Sequence, residues 1–318
     1  MKKALITGIS GFVGSHLTEL LLSLDFRVHG VAHPDHGTTH IDNFKKDIVL
    51  YRGDLLGKNF VDKILQDNKF DYIFHLAAYS SPPQSFKDPK GTIENNLFSQ
   101  MNLLEAAVKS QSTAKILIVG SSDEYGDVEK KYLPVKENTP LAPTTPYAVS
   151  KIAQDFLGLQ YFLHHKLNII RVRPFNHIGP RQSTNFVVPA FASQIAQLEN
   201  TGGDQMKTGN LETSRDFTDV RDIVRAYLLA LEKGKVGDVY NLGSSHSYKI
   251  ADILKKLLSF SKVKIKVKTE QTLLRSQNTE NVYCDFTKFK KDTGWQPTIP
   301  IDKTLFDTIE YERNKLKN

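Results

Sequence analysis

Apolar residues along the first half of the chain follow two alternating spacings. Short runs rich in β-branched residues, apolar at nearly every position, give way to longer stretches in which apolar residues recur at the period of a helix face. The alternation predicts strands over 4–7, 27–31, 49–52, 72–76, 115–120 and 168–173, and helices over 11–23, 60–66, 92–109 and 147–164. Strands without a polar face, separated by helices, predict a parallel sheet covered on both sides, which is a doubly wound α/β fold. Right-handed crossovers then bring every strand's carboxyl end to one edge, where such sheets bind ligands. After residue 176 the pattern loosens into a helix over 187–199, a connection at Gly202-Gly203, a helix over 222–232, a strand over 239–242 and a lysine-rich tail. The expectation is a large domain over 1–176 and a smaller C-terminal substrate-binding lobe over 177–318, with 221–245 able to return to the large domain.

Composition narrows the class. The chain has 318 residues, 40% hydrophobic and 24% charged, which excludes disorder, collagen and coiled coil. Lys plus Arg number 42 against 35 Asp plus Glu, a net charge of +7. That surplus is not gathered into a basic patch interleaved with aromatics, so no nucleic-acid partner is expected. Its densest stretch, Lys262-Val263-Lys264-Ile265-Lys266-Val267-Lys268, alternates and predicts a strand with lysines on one face, a protected sheet edge. Cys284 is the single cysteine and no Cys or His pair has zinc spacing, so neither an intramolecular disulfide nor a metal is expected, and a reducing, cytoplasmic setting fits. No apolar run approaches the about 18 residues of a membrane span, and Met1-Lys2-Lys3 leads into a glycine-rich turn instead of a signal-peptide core.

The chemistry starts at that turn. The first predicted strand runs into Gly8-Ile9-Ser10-Gly11-Phe12-Val13-Gly14, and a helix follows at once. Glycines there let the backbone approach a pyrophosphate while the helix N-terminus offers N–H groups to it, so a dinucleotide is expected against Gly8, Gly11, Phe12, Val13 and Gly14. At the end of the second strand, Val31-Ala32-His33-Pro34 lacks the carboxylate that would repel a 2′-phosphate. NADP(H) therefore stays open beside NAD(H), with His33 as a neighbour of that phosphate. Tyr147-Ala148-Val149-Ser150-Lys151 sets a phenol and an ammonium four residues apart, on one helix face. The expectation is that Lys151 lowers the Tyr147 pKa and that the phenol exchanges a proton with a carbonyl or carbinol oxygen during hydride transfer.

Together with Gly120-Ser121-Ser122-Asp123-Glu124-Tyr125-Gly126, Arg173-Pro174-Phe175-Asn176-His177-Ile178-Gly179-Pro180-Arg181-Gln182, Asn185-Phe186-Val187 and Arg215-Asp216-Phe217-Thr218-Asp219-Val220-Arg221-Asp222, these motifs resemble the extended short-chain dehydrogenases/reductases, the NAD-dependent epimerase/dehydratase family that modifies nucleotide sugars. Within it the combination is most similar to reductases of GDP-4-keto-6-deoxy-D-mannose, kin of GDP-mannose 4,6-dehydratases. The resemblance implies that Ser121, with Ser122 beside it, hydrogen-bonds the reacting oxygen and that Tyr147 and Lys151 also touch the cofactor. It likewise implies that Asp54-Leu55, Leu76-Ala77-Ala78, Asn96 and Pro174 line the cofactor, and that Asn176, Asn185, Arg215 and Arg275 hold a nucleotide diphosphate. A homodimer pairing the helices over 92–109 and 147–164 is implied too; the latter carries Ile152, Phe156, Leu157, Leu159, Tyr161, Phe162 and Leu163 around more than one face.

Three departures qualify the match. Ser99 stands where a glycine is common, and Ser276-Gln277-Asn278 follows Arg275 where the family often has Pro and then Glu, which leaves the nucleobase open. Asp123 occupies the position where dehydratases use a Glu to take the C5 proton, one methylene short. Reduction of a ketone needs no such base. The expected function is therefore an NAD(P)H-dependent reductase of a 4-keto-6-deoxy nucleotide sugar. The alternative is a 4,6-dehydratase or epimerase keeping its NAD(P) bound. A non-enzymatic dinucleotide sensor would not need Ser121, Tyr147 and Lys151.

Overall fold

The computed structural model describes residues 1–270 and 281–317. Its first half follows the unit read from the pattern: β1 (Lys3–Thr7), α1 (Phe12–Ser23), β2 (Arg27–Ala32), β3 (Ile48–Arg52), α2 (Lys58–Asp67), β4 (Tyr72–His75), α3 (Pro82–Lys87), α4 (Pro89–Lys109), β5 (Lys115–Val119), α5 (Pro146–His165) and β6 (Asn168–Pro174). The remainder comprises β7 (Asn176–Ile178), α6 (Val187–Thr201), β8 (Gln205–Thr208), β9 (Ser214–Asp219), α7 (Val220–Lys233), β10 (Val239–Leu242), β11 (Ser247–Lys249), α8 (Ile250–Ser259), β12 (Lys266–Thr269), β13 (Asn281–Val282), α9 (Thr287–Thr293) and α10 (Ile301–Lys315). No described helix is long and apolar enough to cross a membrane.

Seven strands form one parallel sheet in the order β10-β6-β5-β4-β1-β2-β3. Successive side chains leave it on opposite faces. Ala4, Ile6, Phe74, Leu117 and Val172 meet α1 and α7 through Leu17, Leu21, Val224 and Leu231, whereas Leu5, Ile73, Ile116, Ile118 and Ile169 meet α2, α4 and α5 through Ile64, Leu104 and Tyr161. Apolar residues on both faces are why these strands read as continuous runs. β10, in register with β6 from Val239↔Arg171 to Leu242↔Pro174, extends the sheet with residues that follow the lobe's first elements. A separate core of Val188, Phe191, Ile195, Phe217, Ile253, Leu254, Leu257, Leu305 and Ile309 holds the lobe together.

Two expectations change here. The alternating lysines form a strand only over Lys266–Thr269, which pairs in parallel with β8. Before it, Ser261 Oγ donates to Val263 O at 2.8 Å and Glu199 accepts the Lys262 N–H at 2.8 Å, a local turn that takes the first half of the run out of the ladder. Exposure still alternates over this part, with Lys262 and Lys264 exposed and Ile265 packed on the lobe core, but Val267 in the strand is exposed as well. The lysine-rich tail, in turn, builds α8, α9 and α10, whose sparse apolar residues Leu254, Leu257, Phe289, Leu305 and Ile309 are buried.

Candidate active site at the carboxyl edge of the sheet

The glycine turn is built for close approach. Gly8 has φ +70°, and a Cβ there would meet Ala77 N and Cα at 3.0 Å. A Cβ on Gly14 would overlap the Gly8 carbonyl oxygen and Ile9 Cα. Gly11 caps α1 without a side chain, and no acidic residue sits in the first turn, so the N–H groups that Phe12, Val13 and Gly14 lead with are left to an anion. These features fit a dinucleotide pyrophosphate. Across the turn, Thr7 Oγ1 accepts the N–H groups of Leu76 at 3.1 Å and Ala77 at 3.2 Å, which fixes the segment leading to Ala78 beside Gly8. Asn96 holds the same segment farther on, accepting Tyr79 N–H at 2.7 Å and donating to Tyr79 O at 3.1 Å and Ser150 Oγ at 2.9 Å. Its amide is thus engaged within the protein.

At the second strand end, His33 lies 3.9 Å from the Asp54 carboxylate and 3.8 Å from that of Asp35. Asp54 Oδ1 accepts the Leu56 N–H at 2.9 Å, the bond of a turn, and Leu55 is buried beneath it. Pro174 is buried at the end of β6.

The fifth strand end carries the reactive groups. Ser121 begins a short 3-10 turn, its Oγ accepting the Asp123 N–H at 3.1 Å while Glu124 Oε1 accepts the Ser121 N–H at 2.8 Å. This reciprocal cap fixes the backbone beneath the hydroxyl. α5 enters opposite, started by Pro146 and by Thr145 Oγ1 accepting the Ala148 N–H at 3.0 Å. The Ser121 side chain lies close enough to the Tyr147 phenol to oppose the rise in its pKa. Asp123 sits close enough to raise the Tyr147 pKa by its charge, and the Arg215 guanidinium from β9 acts in turn on Asp123. Ser121, Ser122, Asp123, Tyr147 and Arg215 are therefore brought together from three separate stretches of chain.

Lys151 behaves differently from the sequence expectation. Burial and the Asp123 charge push the Tyr147 phenol above its ordinary pKa instead of towards neutrality. The Lys151 ammonium lies 5.9 Å from the Tyr147 ring centre, donating to Val119 O at 2.8 Å and Gln154 Oε1 at 2.9 Å. Burial lowers its own pKa to about 8, with the Glu124 charge opposing.

Of the other residues expected at a diphosphate, Asn176 opens β7 and Asn185 precedes α6, both exposed on the lobe side. Neither bonds to the Ser121–Tyr147 cluster through its side chain among the described residues. Arg275 lies outside the described residues.

The sequence reading passes over the support beneath the cluster. Arg173 reaches Glu124 Oε2 at 3.0 Å and Asp155 Oδ2 at 2.5 Å, and Arg171 reaches Asp155 Oδ1 at 2.7 Å, all buried. Burial, and after it the Asp155 charge, push the Glu124 carboxyl up to about 8 against the pull of Arg173. Spacing was the available signal: Glu124 is three residues after Ser121, the interval of a capping box, and Gln154 three after Lys151, one turn of the same helix face.

Comparison with known proteins identifies the family. The sequence profile of the family described as GDP-mannose 4,6 dehydratase matches residues 5–308. GDP-6-deoxy-D-mannose reductase of Pseudomonas aeruginosa is 32% identical over 96% of this chain and 95% of its own, and GDP-mannose 4,6-dehydratase of Vibrio cholerae is 25% identical over 97% and 93%. Among solved structures, that of RMD from Pseudomonas aeruginosa complexed with NADPH superposes with a TM-score of 0.87 at 30% identity, covering 99% of this chain and 100% of that one. The chain belongs to the GDP-mannose 4,6 dehydratase family of extended, nucleotide-sugar-modifying short-chain dehydrogenases/reductases.

Proposed function

We propose that the protein is an NAD(P)H-dependent reductase of a 4-keto-6-deoxy nucleotide sugar, of the type that converts GDP-4-keto-6-deoxy-D-mannose to GDP-D-rhamnose. The observation that carries this reading is the Tyr147 phenol, held protonated by burial and by the Asp123 charge, with the Ser121 side chain beside it. A group that stays protonated through neutral pH suits the donation of a proton to a carbonyl oxygen. The dinucleotide, bound along Gly8–Gly14, supplies the hydride. Ser121 orients and polarises the substrate oxygen, Tyr147 gives it the proton, and Lys151 holds the nicotinamide ribose and supplies positive charge as the phenol ionises. Asn176, Asn185, Arg215 and Arg275 bind the nucleotide diphosphate, for which a guanidinium is matched in charge and fork geometry. Two copies pair through α4 and α5, where Phe98, Phe156 and Leu163 are exposed.

One observation favours a dehydratase. Burial raises the pKa of Asp123, with Arg215 opposing, and so makes that carboxylate a stronger base than an ordinary aspartate. The experiment presents two substrates separately: GDP-mannose without added reductant, and GDP-4-keto-6-deoxymannose with NADPH. Turnover is expected only with the second, reduced only modestly by Asp123→Asn. Water loss from GDP-mannose that Asp123→Asn abolishes would reassign the protein as a lyase.

A further inference from the structure

The ammonium of a lysine has three donors. Lys151 has two of them committed, to Val119 O at 2.8 Å and to Gln154 Oε1 at 2.9 Å. Gln154 is itself held by side chain and backbone: its Nε2 donates to Asn96 O at 2.8 Å, and its backbone carbonyl accepts Gln100 Nε2 at 2.7 Å. The amide orientation is unambiguous, because only its oxygen can face an ammonium and only its nitrogen a carbonyl. Gln154 and Gln100 are 1% and 0% exposed, so no water competes for these bonds. A glutamine in a helix interior, buried and spending both amide atoms on a link between α4 and the lysine of α5, is more than filler.

We infer that Gln154 is a positioning residue that clamps Lys151, holding one N–H free towards the site and stabilising the charged form of the ammonium. The clamp reads through to the ribose contact proposed above for Lys151 and rests on that reading. Burial opposes the charge, and a neutral acceptor at 2.9 Å offsets part of that penalty without the cost of a second buried ion. The other ionisable groups facing this lysine are Glu124 from the turn after β5, His75 from β4 and Tyr147 on the same helix. His75 is held uncharged by burial, its pKa lowered to about 3. Burial, and after it the Asp155 charge, raise the Glu124 pKa, and Glu124 is left intact in every variant below.

The test follows NADPH affinity by fluorescence titration between pH 6.5 and 9.5 for the wild-type protein, Gln154→Met, Gln154→Glu and Lys151→Ala, with thermal midpoints measured in parallel. Affinity should fall as pH rises and Lys151 loses its proton. Gln154→Met should move that fall to lower pH by about one unit, about tenfold in affinity on the slope, because the ammonium loses its acceptor. Gln154→Glu should move it to higher pH, since a carboxylate there favours the cation. A glutamine that only ties two helices together would lower the thermal midpoint and leave the pH profile in place. Superposed profiles for wild type, Gln154→Met and Gln154→Glu, with Lys151→Ala weakened, overturn the clamp alone. Undiminished affinity in Lys151→Ala overturns both the clamp and the role of Lys151. If Gln154→Met does not fold, the shift in Gln154→Glu decides.

Discussion

Tyr147 illustrates how far a spacing can be read. Its position four residues before Lys151 is visible in the sequence, and so is the helix that puts both on one face. The sign of its pKa shift is not, because that depends on burial that no single position announces and on the Asp123 charge, which comes near the phenol only once the turn after β5 is folded. Lys151 was legible as a residue but not in its partners, since Val119 lies 32 positions away. Tyr147→Phe removes the proton donor while keeping the ring in place. Turnover of the keto sugar should fall by roughly 10²–10⁴-fold with NADPH affinity retained, which steady-state kinetics and a binding titration separate. Near-normal turnover would remove Tyr147 from the mechanism.

Elements were more legible than their connections. The sheet strands and the helices of the first half could be found because burial on both faces leaves a continuous apolar signal. The short strands β7, β9, β11 and β13 carry no such signal, since each is held mainly by pairing with β9 or, in its own case, with the other three. The joint between α5 and β6 was missed because it is made of charges. Asp155 on α5 faces Arg171 and Arg173 on β6, with side-chain exposures of 2%, 8% and 4%. Asp155→Ala would leave two guanidinium groups buried with only Glu124, Tyr125 and backbone carbonyls to meet them. A loss of about 3–5 kcal/mol is expected, the cost of stranding a buried ion, and chemical denaturation of the variant checks it. Replacing the cluster with apolar residues together should cost much less.

At the scale of the molecule, some of the exposed apolar residues lie on the neighbouring helices α4 and α5. Phe98 on α4 and Phe156 and Leu163 on α5 are 47%, 49% and 57% exposed, while Leu157, Tyr161 and Phe162 of the same helix turn towards the core. The two groups account for five of the seven apolar residues that the sequence spreads around more than one face of α5. Light scattering should give the mass of a dimer, and Phe156→Arg with Leu163→Lys should give a monomer. A wild-type mass of one chain at every concentration would leave this face without the proposed partner. The same scale shows how the lobe is attached. The chain leaves the sheet after β6, builds α6 to β9, returns as α7 and β10, leaves again for α8, and returns once more as α9, whose Phe289 and the following Trp295 pack in the core with Tyr240 before α10 joins the lobe. A body tethered at several seams cannot swing about one joint, because every crossing would have to bend together. Relative motion of lobe and sheet is therefore better suited to small sliding adjustments than to wide opening.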